Sequence, residues 1–338
     1  MLSSEVLRLL KEAGEPLSGE VMGQTLGVSR AAVWKGIRAL RQAGYQIDSA
    51  PNRGYLLIDR PDRLYAGELA GDRTCIGRQI LCLETVDSTN SEGKRQALSG
   101  AAEGLAILAD RQTGGRGTRG RSFFSPAGEG LYCSVLLRPS CSLQALMGLT
   151  AWTAVAACDA VETVCGIRPG IKWTNDLVLE GKKLCGILTE LGLEGESGQL
   201  EYVVVGIGIN VGQTDFGPEL NPIAVSLRQV LGAAPRRADL ALALLNALDE
   251  MYTAFPEQKP RYLSRYRADC LTTGREVRFL QDGVEKTAWA ESIDDQFALV
   301  VRYPDGSRET LSAGEVSVRG LWGYTADPEK KSAAPSRL

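Results

Sequence analysis

Short apolar clusters separated by capping and breaking residues dominate the first sixty positions. Val6, Leu7, Leu9 and Leu10 recur at helical spacing, which predicts a helix over residues 4–13, ended by Pro16. Ser18 is placed to cap a second short helix, Gly19 to Leu26. After a tight turn at Gly27 and Val28, Ser29 caps a third helix that runs to about Ala43. On this third helix Arg30, Lys35, Arg38 and Arg41 fall within roughly 140° of arc, with Val33, Ile37 and Leu40 on the adjacent arc. Gly44 ends the helix, and Tyr45 to Ile47 and Gly54 to Ile58 read as two short strands around a basic-tipped turn, Ser49 to Arg53. Helix, turn, helix and wing together predict a winged helix-turn-helix DNA-binding domain over residues 1–60. Its DNA-facing candidates are Ser29, Arg30, Ala31, Lys35, Arg38 and Arg53. A three-helix domain with an ordinary solvated cationic face is the plainer alternative.

Beyond a linker at Asp59 to Arg63 the pattern changes to apolar runs of strand length mixed with longer helical stretches, over residues 66–265. Strands are expected at 80–85, 105–110, 131–137, 171–173, 177–180, 184–193 and 201–209, and helices at 88–98, 143–165 and 236–255. Residues 139–158 carry no charge, yet Ser140, Ser142, Gln144, Thr150 and Thr153 interrupt them and Asp159 and Glu162 follow. They predict a buried helix, not a membrane span. Ala238 to Met251 has the spacing of a core-packing helix. From 270 to 322 short alternating strands, punctuated by turns at Asp282-Gly283 and Asp305-Gly306, predict a small β-barrel, and the Pro, Ser, Lys and Ala-rich end, 323–338, a disordered tail.

Composition narrows the chemistry more than the fold. The 338 residues carry a net charge of −3, with residues 1–60 at +2 (eight Lys and Arg against six Asp and Glu) and the remainder at −5. Eight cysteines occur without a C-x-x-C pair and there is no histidine, which argues against a zinc site or a disulfide framework. The N-terminus lacks a basic region followed by an apolar run, so a cytoplasmic chain with reduced thiols is expected. Without imidazole, catalysis by a Ser-His-Asp triad or a Cys-His pair is excluded. Lys, Arg, Asp and backbone amides are left to do the work.

The stretch from Asp110 to Pro126 packs Arg116, Arg119 and Arg121 among Gly114, Gly115, Gly117 and Gly120, then adds Phe123 and Phe124. Glycines let a backbone approach a ligand closely, and guanidinium forks match phosphate or carboxylate oxygens. The loop reads as an anion clamp. Further along, Lys172 to Asp176, Gly181 to Leu188 and Gly206 to Val211 supply more cationic and amide groups, as a nucleotide-using enzyme needs.

Taken in order, a winged helix, Glu84 to Asn90, the glycine-arginine loop, Lys172 to Asp176, Gly181 to Leu188 and Gly206 to Asn210 closely resemble the biotin protein ligases of the bifunctional kind, the biotin operon repressors. The resemblance covers nearly the whole chain. It implies a central mixed-sheet catalytic domain like that of class II synthetases, and a C-terminal SH3-like barrel. It also implies a two-step reaction in which biotin and MgATP give biotinyl-5′-adenylate, which then acylates a lysine of a biotin carboxyl carrier protein. Carried over by residue, Ser88, Thr89, Asn90, Gln112, Gly115, Arg116, Gly117, Thr118, Lys183, Gly186 and Gly206 would hold biotin, and Lys183, Arg116 and Arg119 would be catalytic. Arg119, Arg121, Phe123, Lys172, Asn175, Asp176 and Asn210 would hold the nucleotide, with Asp176 also the candidate Mg²⁺ ligand. The adenylate would also act as corepressor, pairing two chains into a homodimer on a two-part operator, with no membrane association.

Three positions depart from the usual pattern: Thr118 stands where the repressor-type loop often carries arginine, Phe123 where tryptophan is frequent, and Thr174 where proline is common. Two other readings share part of the signature: a lipoate–protein ligase, and a ligand-sensing repressor without ligase activity. The glycine-arginine loop and winged helix argue against the first, Lys183 and the loop arginines against the second.

Overall fold

A computed structural model describes residues 2–50, 53–195, 198–281, 283–312, 314 and 316–321. Pro51 and Asn52 of the expected wing turn, Asp282 of the expected Asp282-Gly283 turn, Trp322 and the expected tail, 323–338, lie outside the described residues.

The N-terminal unit has three helices, α1 (Leu2–Ala13), α2 (Gly19–Leu26) and α3 (Arg30–Gln42), followed by the antiparallel strands β1 (Gln46–Ala50) and β2 (Gly54–Asp59). The Ser18 hydroxyl accepts from the Val21 N–H to start α2, and the Ser29 hydroxyl accepts from the Ala32 N–H to start α3. Gly27, at φ 65°, takes the left-handed conformation that ends α2 and turns the chain. Val6, Leu7, Leu10, Met22, Val33, Ile37 and Leu40 form the core of this unit. The expected amphipathic split of the third helix is therefore the observed one.

The central unit comprises β3 (Ile80–Val86), α4 (Thr89–Leu98), β4 (Ala106–Gln112), β5 (Gly130–Leu137), α5 (Leu143–Leu146), α6 (Leu149–Cys165), β6 (Gly170–Lys172), β7 (Asp176–Leu179), β8 (Lys182–Leu193), β9 (Leu200–Asn210), α7 (Leu227–Leu231), α8 (Arg237–Ala254) and α9 (Lys259–Asp269). Its seven strands run in the order β3-β4-β5-β9-β8-β7-β6, with β3 and β4 parallel and every other pair antiparallel. The parallel pair needs a crossover, and α4 supplies it. On one sheet face Val203, Val205, Ile207 and Ile209 of β9 join Leu131, Cys133 and Val135 of β5 in a core with α6 and α8. The helix expected over 143–165 is two: Gly148 separates α5 from α6, and a Cβ there would lie 3.0 Å from the Phe297 ring. Sequence periodicity did not indicate α7 or α9.

The C-terminal unit contains β10 (Arg275–Gln281), β11 (Val284–Ile293), β12 (Leu299–Arg302), β13 (Arg308–Leu311) and β14 (Val316–Val318), in the order β13-β12-β11-β10-β14. Among the described residues no ladder joins β13 to β14. Among the described residues the expected SH3-like barrel is therefore a five-stranded antiparallel sheet that does not close, its end strands being four and three residues long.

Two polar clusters tie the units together. Glu68, only 1% exposed, lies between Lys11 of α1 (3.2 Å), Arg60 of the linker (3.3 Å) and Arg236 at the start of α8 (3.6 Å). The Trp173 indole donates to the Phe297 carbonyl and the Trp173 N–H to the Thr272 hydroxyl, fastening the C-terminal sheet to the central one. No helix among the described residues is long and apolar enough to cross a membrane.

Candidate active site

The second face of the central sheet is carved by glycines. Because side chains alternate along a strand, Gly206 and Gly208 of β9 point away from the core that Val205 and Ile207 enter. Gly186 of β8 pairs with Gly208, and Leu188 with Gly206, so three residues without side chains meet in one trough. It is filled from outside: a Cβ on Gly206 would sit within clashing distance of Asn90 Oδ1, and one on Gly208 would lie 2.7 Å from the Phe123 ring.

A polar chain runs along one end of this trough. The Gln112 side-chain oxygen accepts from the Thr89 N–H (2.9 Å) and hydroxyl (3.2 Å), and its amide donates to Ser125 Oγ (2.9 Å). Ser134 Oγ of β5 lies 2.7 Å from Thr89 Oγ1 and 2.6 Å from Asn90 Oδ1. Asn90 Nδ2 donates to the Leu188 carbonyl (3.1 Å) and to Glu190 (2.9 Å), so both its amide protons are used within the protein. Lys94 Nζ is 2.7 Å from Glu190, and Arg116 Nη1 is 3.6 Å from it. Burial raises the Glu190 pKa, but the bonds from Lys94 and Asn90 and the nearby Arg116 charge outweigh it and hold the carboxyl below its ordinary value. Ser88 occupies the N-cap position of α4, yet its hydroxyl makes no capping bond, although it is 2% exposed and lines the cleft.

At the other end stands Lys183. Lys183 Nζ is 2.6 Å from Asp176 Oδ1, and both side chains are partly sheltered. The loop from Gly114 folds back on itself through the Phe123 N–H to Gly115 carbonyl bond (2.9 Å) and the Gly117 N–H to Arg121 carbonyl bond (2.7 Å). It holds Arg116, Gly117 and Thr118 over the trough. Among the described residues no group of three or more Asp, Glu, Cys or His could form a metal cage. Asp176 is a single carboxylate, which fits an Mg²⁺ bound mostly by phosphate oxygens and water. Cys185, two residues from Lys183, is fully buried on the core face, and desolvation pushes its thiol up, so it is no nucleophile.

Most of the expected site residues converge on this cleft. From the first segments come Ser88, Thr89, Asn90 and Gln112; from the loop Arg116, Gly117, Thr118 and Phe123; from the β6–β7 turn Asn175, and from β8 and β9 Lys183, Gly186 and Gly206. Gly115 lies just behind, where a Cβ would meet the Phe123 carbonyl and Ser125 Oγ. Lys172, Arg121, Asp176 and Asn210 do not line it; Asp176 reaches it only through Lys183, and Asn210 is buried and donates to the Val225 carbonyl (3.1 Å), bracing the chain beside Lys183. Arg119 lies in a short 3₁₀ turn, Thr118 to Gly120, and its side chain is outside the described ones. Sequence reasoning missed Ser134 and Glu190, and took Leu188 and Gly208 only as parts of longer motifs. The alternation of β5, β8 and β9 was the available signal, but it needs the strand register to be useful.

Three family profiles match the chain in order: "HTH domain" over residues 3–56, "Biotin/lipoate A/B protein ligase family" over 82–210 and "Biotin protein ligase C terminal domain" over 272–319. The bifunctional ligase/repressor BirA of Bacillus spizizenii is 38% identical over 319 residues, covering 92% of this chain and 97% of that protein. The chain belongs to the BirA family of bifunctional ligase/repressors. The Escherichia coli BirA is 32% identical over 307 residues, 90% of this chain and 94% of its own length. Among solved structures, the biotin protein ligase from Aquifex aeolicus in complex with biotin and ATP superposes with a TM-score of 0.61 at 29% identity, over 72% of this chain and 99% of that one.

This BirA-family chain presents a second candidate surface on α3. Arg30, Ala31, Lys35 and Arg38 are exposed there, and Arg53 is exposed at the wing. Arg41, on the same cationic arc, is instead bonded to the Ile47 carbonyl (2.6 and 3.0 Å) and braces the wing. Ser29 is exposed, with its oxygen accepting the N-cap bond. Sequence reading overlooked Trp34, half-exposed on this face with the Arg38 guanidinium 5.7 Å from its ring.

Proposed function

We propose that this protein joins biotin to ATP, releasing pyrophosphate, passes the biotinyl group from the adenylate to a lysine of a biotin carboxyl carrier protein, and represses biotin genes when the adenylate is bound. We assign DNA binding to residues 1–60, both chemical steps to 66–265, and the closing sheet to 270–322. The observation that carries the catalytic reading is the polarity of one cleft: a neutral hydrogen-bonding end at Ser88, Thr89 and Gln112, and a cationic group, Lys183, at the other end. A ligand with a neutral urea head and a carboxylate tail has the same polarity. The BirA names of the relatives and the bound biotin and ATP of the Aquifex structure support this reading.

In the first step two anions must meet, the carboxylate and the α-phosphate, so charge has to be offset where they approach. Lys183 is the group placed to do so. Its ammonium rests against Asp176, which keeps it positioned and neutralised until anions enter. The carboxylate oxygen attacks the α-phosphorus, pyrophosphate leaves, and Lys183 stabilises the added negative charge; Arg116 and Arg119 hold phosphate oxygens as the loop settles. When bound, Mg²⁺ would offset triphosphate charge, with Asp176 furnishing one carboxylate. In the second step the acceptor amine attacks the acyl carbon and AMP departs. The Phe123 ring, over Gly186 and Gly208, is positioned to meet the adenine.

The exposed cations of α3 and the wing provide phosphate contacts, and two chains paired by the adenylate would present two such surfaces to an operator. The test is two assays on one preparation. Biotin and ATP together should label a purified carrier domain and raise affinity for DNA from the promoter region of the organism's biotin genes. ATP alone should do neither. Carrier labelling without any biotin-dependent change in DNA affinity would reduce the proposal to a ligase.

A further inference from the structure

The polar chain in the cleft has a direction, and one residue away from the reacting atoms sets it. The Asn90 carboxamide is oriented by two groups that can only accept, the Leu188 carbonyl (3.1 Å) and the Glu190 carboxylate (2.9 Å), so Nδ2 must face them and Oδ1 must face Ser134. Oδ1 cannot donate. The single proton of the Ser134 hydroxyl therefore goes to Asn90 Oδ1, at 2.6 Å, and not to Thr89, at 2.7 Å. What remains on the Thr89 side of Ser134 is a lone pair. Thr89 must send its own proton to Ser134 Oγ or Gln112 Oε1, both acceptors, and its free lone pair is left for the cleft. Ser134, Asn90 and Thr89 are all at least 96% buried, so water does not rescue a mismatch.

We propose that Glu190 is a positioning residue that fixes the hydrogen-bond direction of the Asn90–Ser134–Thr89 chain, so that Thr89 Oγ1 faces the ligand as an acceptor for a ring N–H of the urea head. The inference rests on the biotin reading above. Neutralising Glu190 without changing its shape leaves the Leu188 carbonyl alone to orient Asn90, so the chain should no longer run in one direction only. In Glu190→Gln, Lys94 draws the new amide oxygen toward itself, because an ammonium can only donate, and the amide nitrogen turns to Asn90. Asn90 is then caught between the new amide, which calls for its oxygen, and the Leu188 carbonyl, which still calls for its nitrogen, and loses its single orientation; when Nδ2 turns to Ser134, the Ser134 proton moves to Thr89. Thr89 becomes free to donate into the cleft.

The experiment compares biotin with its two cyclic-carbamate analogues, in each of which one ring N–H is replaced by oxygen, by acid-dependent pyrophosphate–ATP exchange on the full chain. The wild type should reject one analogue by about 100-fold or more in kcat/KM, since a site built to accept an N–H opposes an oxygen there. In Glu190→Gln that ratio should fall by about 10-fold or more while the KM for ATP stays unchanged. Ser134→Ala, which cuts the chain without touching Glu190, should lower it similarly and serves if the first variant does not fold. Lys94→Met, which keeps the carboxylate and the Asn90 orientation, should retain the wild-type ratio. A uniform loss of activity with all three acids, the ratio preserved in Glu190→Gln and Ser134→Ala, would overturn the positioning role and leave the biotin reading standing. Absence of exchange with biotin in the wild type would overturn both.

Discussion

Adding one methyl group to Gly206 should cost more than the substitution would normally imply. Its backbone does not need glycine, because it pairs in register with Ser134 and Leu188 inside β9 and is not among the positive-φ glycines. Alanine at a generic strand position would even help slightly. Here the new Cβ would land on Asn90 Oδ1. Asn90 is 3% exposed and held by three bonds, to the Leu188 carbonyl (3.1 Å), Glu190 (2.9 Å) and Ser134 (2.6 Å). Two neutral bonds at about 1 kcal/mol and one to a charge at about 1.5–3 kcal/mol give an upper bound of about 5 kcal/mol. Partial relaxation of the side chain leaves roughly 2–4 kcal/mol. Gly206→Ala should therefore lower the unfolding free energy by that amount in a urea titration. It should also raise the KM for biotin at least 10-fold, about 1.4 kcal/mol, with the KM for ATP little changed. Wild-type stability together with a wild-type biotin KM would refute the argument that Asn90 is pinned against this glycine.

Other consequences are as direct. Thr118 lines the cleft, and Thr118→Arg adds a guanidinium able to form one charge-assisted bond, roughly 1.5–3 kcal/mol. Release of labelled adenylate in a filter assay should slow by about 10-fold or more; an unchanged rate contradicts this. Glu68→Leu removes the buried carboxylate shared by Lys11, Arg60 and Arg236, and should destabilise the chain by about 2–4 kcal/mol and expose the linker near Arg63 to trypsin. Arg38→Ala and Lys35→Ala on α3 should each weaken DNA binding and lower the slope of log affinity against log salt by about one. Asp249 accepts from the N–H groups of Thr74, Cys75 and Ile76; burial raises its pKa, but these bonds prevail and hold it below the ordinary value. A lowered folded-state pKa contributes stability above the unfolded value, about 4, and loses it as pH falls through the folded one. The difference in unfolding free energy between wild type and Asp249→Asn should thus be largest near neutrality and shrink below about pH 4.

What could be read from the chain alone was whatever is local. Ser18, Ser29 and Gly27 announce two helix starts and a turn within a few residues of the bonds they make, and the winged helix was legible for that reason. Lys183, Gly186 and Gly206 were legible as motif residues, and they do meet. Ser134 and Glu190 were not, because each looks like an ordinary polar strand residue until β5 and β8 are placed beside β9 in register. Helix α9 escaped because its sequence is dominated by charge and carries Pro260 in its first turn. Its order comes from tertiary contacts, with Tyr262 stacked on Trp152 at 4.0 Å and Tyr266 against Phe297 at 5.6 Å. Closure of the expected barrel is not seen among the described residues, because alternation predicts strands but says nothing about whether the end strands pair.

Biotin-dependent pyrophosphate–ATP exchange, with lipoate and octanoate run in parallel and Lys183→Ala as the variant, tests the central claim most directly. The cleft's polarity predicts exchange with biotin, none with the two fatty acids, and a loss of at least 100-fold in the variant, about 2.7 kcal/mol of lost transition-state stabilisation. Exchange that survives in Lys183→Ala, or that appears with lipoate and not with biotin, would contradict it.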